Sequence, residues 1–205
     1  MQKLVIPRKT VYRLSLYYRA LHHLKEDSTE TVSSAALAKA AGVKPPQLRK
    51  DLAYFGQFGT RGLGYNVDAL TARLSKVLGT KHPPVILVGT GNLGSALLRY
   101  PGFAQEGLEV VAAFDIEATR KRSKALGVRV LPMTKLHDFV RENRIKVAIL
   151  TVPAKVAQQV ADALVAAGVL AILNFAPIVL QVPASVVVNN VDLAIELENL
   201  SYFIQ

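Results

Sequence analysis

Residues 84–94 read Pro84-Val-Ile-Leu-Val-Gly-Thr-Gly-Asn-Leu-Gly94, and the fold of the chain is read outward from them. Val85 to Val88 form a short run of β-branched and aliphatic residues, the pattern of a strand buried on both faces. Gly89-x-Gly91-x-x-Gly94 follows directly, and Ser95-Ala96-Leu97-Leu98 continues with helical character. In that context each glycine has a task. Gly89 permits the tight turn, Gly91 lets backbone amides approach a pyrophosphate, and Gly94 lets helix and strand pack closely, so an anion meets the helix N-terminus. A second strand, Leu108 to Phe114, ends in Asp115, which lies 21 residues after Gly94, at the distance where an acid bonds a ribose diol. A glycine-rich βα turn with no ligand is the simpler alternative, and it does not explain the acid.

Downstream, strand and helix alternate. Helices are expected near 117–126, 135–142 and 154–167, with strands at 128–131, 145–152 and 170–173. Such alternation implies a doubly wound parallel sheet with its ligand crevice at the carboxyl ends of the strands. The residues expected to reach that crevice are Gly89, Thr90, Gly91, Asn92, Leu93 and Gly94, then Tyr100 after the first helix. Thr151-Val152-Pro153 and Asn174-Phe175-Ala176-Pro177 follow two later strands. Tyr100 and Phe175 read equally well as core aromatics. A carboxylate at 115 repels a 2′-phosphate and accepts from a 2′-hydroxyl, so NADH and NAD+ are expected over the phosphorylated cofactors. Arg120, Lys121 and Arg122 keep the phosphorylated form open as an alternative to a solvated helix face.

Upstream the character changes. Residues 1–83 carry 14 Lys and Arg against 5 Asp and Glu, whereas residues 84–205 carry 11 against 10. Nearly all of the net charge of +10 therefore lies in the first part, the footprint of a polyanion-binding module joined to a neutral one. A helix is expected from Pro7, with Val11, Leu14, Leu16, Tyr18, Leu21 and Leu24 on its apolar face and Arg13 and Arg19 elsewhere. Ser28 to Thr31 break it. Ser33 or Ser34 caps a second helix, 35–41, which Gly42 ends; Pro45-Pro46 opens a third, running to Phe55. This is helix-turn-helix punctuation. Leu48, Leu52 and Phe55 point inward, which leaves Gln47, Arg49, Lys50 and Tyr54 as candidate DNA-contacting residues. The segment Gly56 to Tyr65 reads as a wing with Arg61 at its tip, and Asp68 is positioned to cap a closing helix, 69–78. An ordinary glycine-rich loop is the alternative to the wing.

The expected organisation is a winged helix-turn-helix domain over 1–79, a linker over 80–84, a Rossmann-like domain over 85–189 and a terminal helix over 190–205. In that last segment Leu193, Leu197, Leu200 and Ile204 recur at helical spacing, and Ala194, Ile195 and Phe203 widen the stripe. Docking into a second subunit and packing on its own sheet are both open. The absence of cysteine excludes disulfides, thiolate nucleophiles and Cys-ligated metal, and no metal site is expected. The longest apolar run, Ala163 to Leu173, is 11 residues, far short of a membrane span. No signal-peptide pattern opens the chain, so a soluble cytoplasmic protein is expected.

Gln47-Leu-Arg-Lys-Asp-Leu-Ala-Tyr-Phe-Gly56, Gly59-Thr-Arg-Gly-Leu-Gly-Tyr65, Gly89-Thr-Gly-Asn-Leu-Gly94, Tyr100-Pro-Gly-Phe103 and Asn174-Phe-Ala-Pro177 together resemble the Rex family of bacterial redox-sensing repressors. The resemblance covers essentially the whole chain. It implies a homodimer that binds operator DNA when NADH is scarce and is released by NADH, with NAD+ competing. It also implies exchange of the C-terminal helix between protomers. By resemblance, Arg49, Lys50 and Arg61 contact DNA, the 89–94 loop holds the pyrophosphate, Asp115 holds the adenosine ribose, and Tyr100 and Asp192 lie near the nicotinamide. A switch is expected in which Asp192 exchanges Tyr100 for Arg19 of the first helix. Two other functions remain open: an NAD(P)-dependent oxidoreductase with an accessory basic domain, and a DNA-binding protein whose nucleotide fold only dimerises. The oxidoreductase needs a general acid or base near the hydride. The histidines at 22, 23, 82 and 137 read instead as solvent-facing or linker residues.

Overall fold

The computed structural model describes residues 6–56, 58–60, 63–79 and 83–204, with the backbone alone at 120–122. Two compact units form, Met1–Lys81 and His82–Gln205. In the first, α1 (Arg8–Glu26) begins after Pro7, and Leu14, Tyr17 and Leu21 line its fully buried face. Helices α2 (Ser34–Ala40) and α3 (Pro45–Ala53) make the helix-turn-helix. Ser33 is the cap of α2, accepting the amide of Ala36 at 3.0 Å. β1 (Thr31–Val32), β2 (Gly59–Thr60) and β3 (Gly64–Asn66) form a small antiparallel sheet with β3 in the middle. β1 falls where the sequence indicates only a break, because two residues are too few to show a period. α4 (Val67–Leu78) closes the unit, and its cap is Asn66, which accepts the amide of Ala69 at 2.8 Å; Asp68 lies two residues too late for that role, in the first turn. The tip of the expected wing, including Arg61, lies outside the described residues.

The second unit is a six-stranded parallel sheet of order β6-β5-β4-β7-β8-β9. Its strands are β4 (Val85–Val88), β5 (Val110–Asp115), β6 (Val130–Pro132), β7 (Val147–Leu150), β8 (Ala171–Asn174) and β9 (Val187–Asn190). Between them run α5 (Asn92–Leu98), α6 (Pro101–Gln105), α7 (Arg120–Leu126), α8 (Leu136–Glu142) and α9 (Ala154–Ala167). The order reverses at β4, so the crevice opens where the chain leaves β4 and β7. β4 is buried throughout, and its side chains alternate. Ile86 and Val88 join the cluster beneath α8 and α9, while Val85 and Leu87 join the cluster that includes Leu97 and Leu126. β9, not foreseen, pairs in parallel with β8 at Ala171↔Val187 through Asn174↔Asn190. The terminal helix is α10 (Leu193–Tyr202), capped by Asp192 through the amides of Ala194 and Ile195 at 3.0 and 3.3 Å. Its apolar side chains do not pack on the chain's own sheet. Leu193, Ile195, Leu197, Leu200, Tyr202, Phe203 and Ile204 are between 52% and 84% exposed. Among the described residues no helix is long and apolar enough to cross a membrane.

Candidate functional site

The loop after β4 is shaped by its surroundings. Gly89 has φ +96°, and a Cβ there would lie 2.6 Å from the carbonyl oxygen of Thr151. A Cβ on Gly94 would lie 1.9 Å from the carbonyl oxygen of Gly89, so both glycines are demanded by the protein's own packing. Gly91 differs: a Cβ there meets nothing within 4 Å. It caps α5 without a side-chain hydrogen bond and lines the cleft, so the space above it is kept clear at a helix N-terminus, where dipole and amides favour an anion. Thr151 braces the loop from β7, its hydroxyl donating to the carbonyl oxygens of Val88 at 3.1 Å and Gly89 at 2.6 Å.

The cleft holds about 960 Å³, at the large end of the range for small-molecule and cofactor sites. Its walls are mainly apolar, from Val88, Leu93, Ile116, Val152, Val156 and Phe175, with Asp115 and Glu117 at one side. Asp115 is fastened in place: Oδ2 accepts the amide and hydroxyl of Thr90 at 2.6 and 2.7 Å, and Oδ1 accepts the amide of Glu117 at 3.0 Å. The cleft, the uncapped helix and an oriented carboxylate fit an ADP-ribose moiety.

Of the expected cleft residues, Gly89, Gly91, Leu93, Asp115, Thr151, Val152, Pro153 and Phe175 line the cleft together. Thr90, Asn92 and Gly94 shape the loop without facing it, and the amide of Thr90 is engaged by Asp115. Asn174 is fully buried and staples the loop after β8. Its amide group donates to the carbonyl oxygens of Ala176 and Ile178 and to Oδ1 of Asn190, and its oxygen accepts the Ala176 amide. Ala176 is buried, Pro177 exposed, and neither lines the cleft. Tyr100 stands outside it, 57% exposed, edge-on to Phe103 at 5.3 Å. His137 is exposed, in keeping with its solvent-facing reading, and also lines the cleft, with Nδ1 3.4 Å from Asp138 Oδ1.

The helix-turn-helix presents Arg49 and Lys50, both exposed, and Arg49 lines a groove of about 490 Å³ together with Ser34, Thr60 and Tyr65. Arg49 Nη1 donates to Ser34 Oγ at 3.1 Å, which sets the guanidinium at the groove mouth. Tyr54 is 37% exposed at the end of α3. Gln47, expected to face outward, is half-buried and donates to Asp51 Oδ1 at 2.9 Å. Asp51 is the residue the sequence reading missed. Only 1% exposed, it also accepts from Arg13 Nε, Arg13 Nη2 at 2.8 Å, Tyr17 Oη at 2.8 Å and Thr10 Oγ1 at 3.3 Å. Burial alone would push its carboxyl up, but the hydrogen bonds from Arg13, Tyr17 and Gln47 outweigh it and hold the carboxyl below its ordinary value. Burial, followed by the hydrogen bond to Asp51 and then the charge of that carboxylate, pushes the Tyr17 phenol up. The available signal was position: Asp51 sits three residues after Leu48 and immediately before Leu52, on the apolar stripe.

Residues 5–53 match the model of a putative DNA-binding protein N-terminus, and residues 80–178 match that of a CoA binding domain. The chain is 49% identical to the redox-sensing transcriptional repressor Rex of Carboxydothermus hydrogenoformans, over 98% of this chain and 97% of that one. It is 45% identical to Rex of Pelotomaculum thermopropionicum, over 98% and 95% of the two chains. The chain belongs to the Rex family. Rex of Streptomyces coelicolor is 48% identical over 96% of this chain, which spans 77% of that longer relative. Among solved Rex-family structures, RSP in complex with β-NAD+ and operator DNA matches with TM-score 0.88 at 37% identity, covering 98% of this chain and 94% of that one. RSP in complex with β-NADH matches with TM-score 0.82 at 36% identity, covering 98% and 95%.

Proposed function

We infer that this Rex-family chain is an operator-binding repressor whose second unit reads NADH against NAD+ and whose dimer is completed by α10. The observation that carries the reading is the clear space above Gly91 beside an oriented Asp115, in the same chain as a helix-turn-helix presenting Arg49 and Lys50. The pyrophosphate meets the amides at the start of α5, and the adenosine ribose meets Asp115. Arg49 reads bases, Lys50 contacts phosphate, and Arg61 reaches the minor groove. Two forms of the cofactor that differ by a hydride and a charge shift a population only through a group that feels the difference. That group is Asp192, which caps α10 and exchanges Tyr100 for Arg19 when NADH binds.

The cleft supports regulation over catalysis. Its titratable residues, among those described, are Asp115, Glu117 and His137. Asp115 is tied to the glycine loop, and His137 stands at the rim beside Asp138. The match to a CoA binding domain favours one other ligand, since CoA shares the adenosine and pyrophosphate. The 3′-phosphate on its ribose would face the Asp115 carboxylate, so NADH is preferred on charge.

Operator binding measured at fixed salt against the NADH/NAD+ ratio tests the reading, with NADH releasing the DNA and NAD+ opposing it. In the same assay Asp192→Asn keeps the helix cap, because Asn caps nearly as well as Asp, but removes the charge; the release ratio moves by about tenfold or more. An unchanged ratio assigns Asp192 to capping alone. Absence of any NADH fluorescence change leaves only a dimerising fold, and steady NADH oxidation by a small carbonyl compound would restore the oxidoreductase.

A further inference from the structure

Thr90 lies between the first two glycines of the loop, yet its side chain faces inward and the residue is fully buried. Its hydroxyl donates to Asp115 Oδ2 at 2.7 Å and its amide donates to the same oxygen at 2.6 Å. The other oxygen, Oδ1, accepts the Glu117 amide at 3.0 Å. Donors on both oxygens fix the plane of the carboxylate. An exposed, unfixed carboxylate rotates away from an incoming anion, whereas one held at both oxygens keeps its charge where the ribose arrives. The repulsion of a 2′-phosphate falls with distance, so discrimination between 2′-hydroxyl and 2′-phosphate depends on that carboxylate staying in place.

We propose that Thr90 is a positioning residue whose hydroxyl holds Asp115 against the ribose and thereby sets the preference for NADH over NADPH. The inference rests on the reading of Asp115 as the ribose acceptor. It assigns to this position a contribution that an aliphatic side chain of the same volume does not make. Backbone amides from Thr90 and Glu117 remain in any variant, so the hydroxyl governs how firmly the carboxylate is held and not whether the loop forms.

The full-length protein is titrated with NADH and with NADPH, by nicotinamide fluorescence, as wild type, Thr90→Val, Thr90→Ser and Asp115→Ala. Thr90→Val preserves volume and removes the hydroxyl; the ratio of NADH to NADPH affinity narrows by about tenfold, the size of one charge-assisted hydrogen bond. Thr90→Ser restores the ratio. A Thr90→Val protein that melts normally, binds operator without nucleotide and keeps the wild-type ratio overturns the inference. So does an equal narrowing in Thr90→Val and Thr90→Ser, which would assign the effect to the lost shape of threonine. If Asp115→Ala abolishes the preference while Thr90→Val does not, the ribose reading stands and the role of Thr90 falls. If Asp115→Ala leaves the preference intact, the ribose reading fails and the inference with it.

Discussion

Three glycines in one short loop look equivalent in sequence and differ in what they face. A Cβ at Gly94 collides with the Gly89 carbonyl oxygen at 1.9 Å, so the helix must back away from the strand for any larger residue to fit. Gly94→Ala is therefore expected to destabilise the second unit by about 2 kcal/mol or more, as overpacking of a tight contact does. Gly91→Ala meets no protein atom within 4 Å and has an ordinary negative φ of −64°, so its melting transition stays within about 0.5 kcal/mol of wild type. Its methyl group enters the space proposed for the pyrophosphate, and NADH affinity is expected to fall by about tenfold or more. Thermal melts and NADH titration of the two variants separate the roles. Equal loss of stability in both, or undiminished NADH binding by Gly91→Ala, would contradict the distinction.

Within the first unit, α3 is held by charge as well as by apolar packing. Asp51 on α3 gathers Thr10, Arg13 and Tyr17 from one face of α1, so the two helices are joined by a buried, hydrogen-bonded ion pair. Such a pair adds little over a well-packed apolar contact, but removing one partner strands the other. Asp51→Asn leaves the Arg13 guanidinium, 22% exposed, without its counter-charge, and a loss of about 3 kcal/mol or more is expected in denaturant unfolding near neutral pH. The sign with pH follows from the depressed Asp51 carboxyl. Its stabilisation is present above the unfolded carboxylate value of about 4 and is lost as pH falls through the lower folded value. The gap between wild type and Asp51→Asn should thus close on acidification below pH about 4 and stay constant above it. A gap independent of pH across that window would show that the pair contributes shape alone.

For the whole molecule, α10 is the unfinished part. This capped helix exposes all its apolar side chains, and it is the surface that the proposed dimer would cover. Leu197 is 66% exposed within its own chain, so Leu197→Asp leaves the fold of the protomer intact. In the proposed dimer it would place a carboxylate in an apolar contact, and sedimentation should then show the mass of one chain in place of two. Operator affinity then falls by more than about tenfold, because two half-sites are no longer engaged together. Retention of the dimer by this variant would place the interface elsewhere.

Most of what is local in pattern was legible in the order of the amino acids, with the α4 cap at Asn66 an exception. The βα alternation, the glycine loop with its acid at the next strand end, the helix-turn-helix punctuation and the apolar stripe of the last helix are all short-range signals, set by residues within a few turns of one another. Tertiary structure decided what depends on partners far along the chain. Thr10, Arg13 and Tyr17 meet Asp51 across 41, 38 and 34 residues, and no periodicity announces a charge that is buried because its partners arrive from another helix. The same contact turns Gln47 away from the exposed face assigned to it. β9 completes the sheet on the open edge of β8, where Asn174 bonds Asn190; its Val186-Val187-Val188 run is β-branched but too short to show a period. Thr90, read as one more residue of a phosphate loop, turns its hydroxyl to Asp115 because the buried side of the tight turn holds a carboxylate in need of donors.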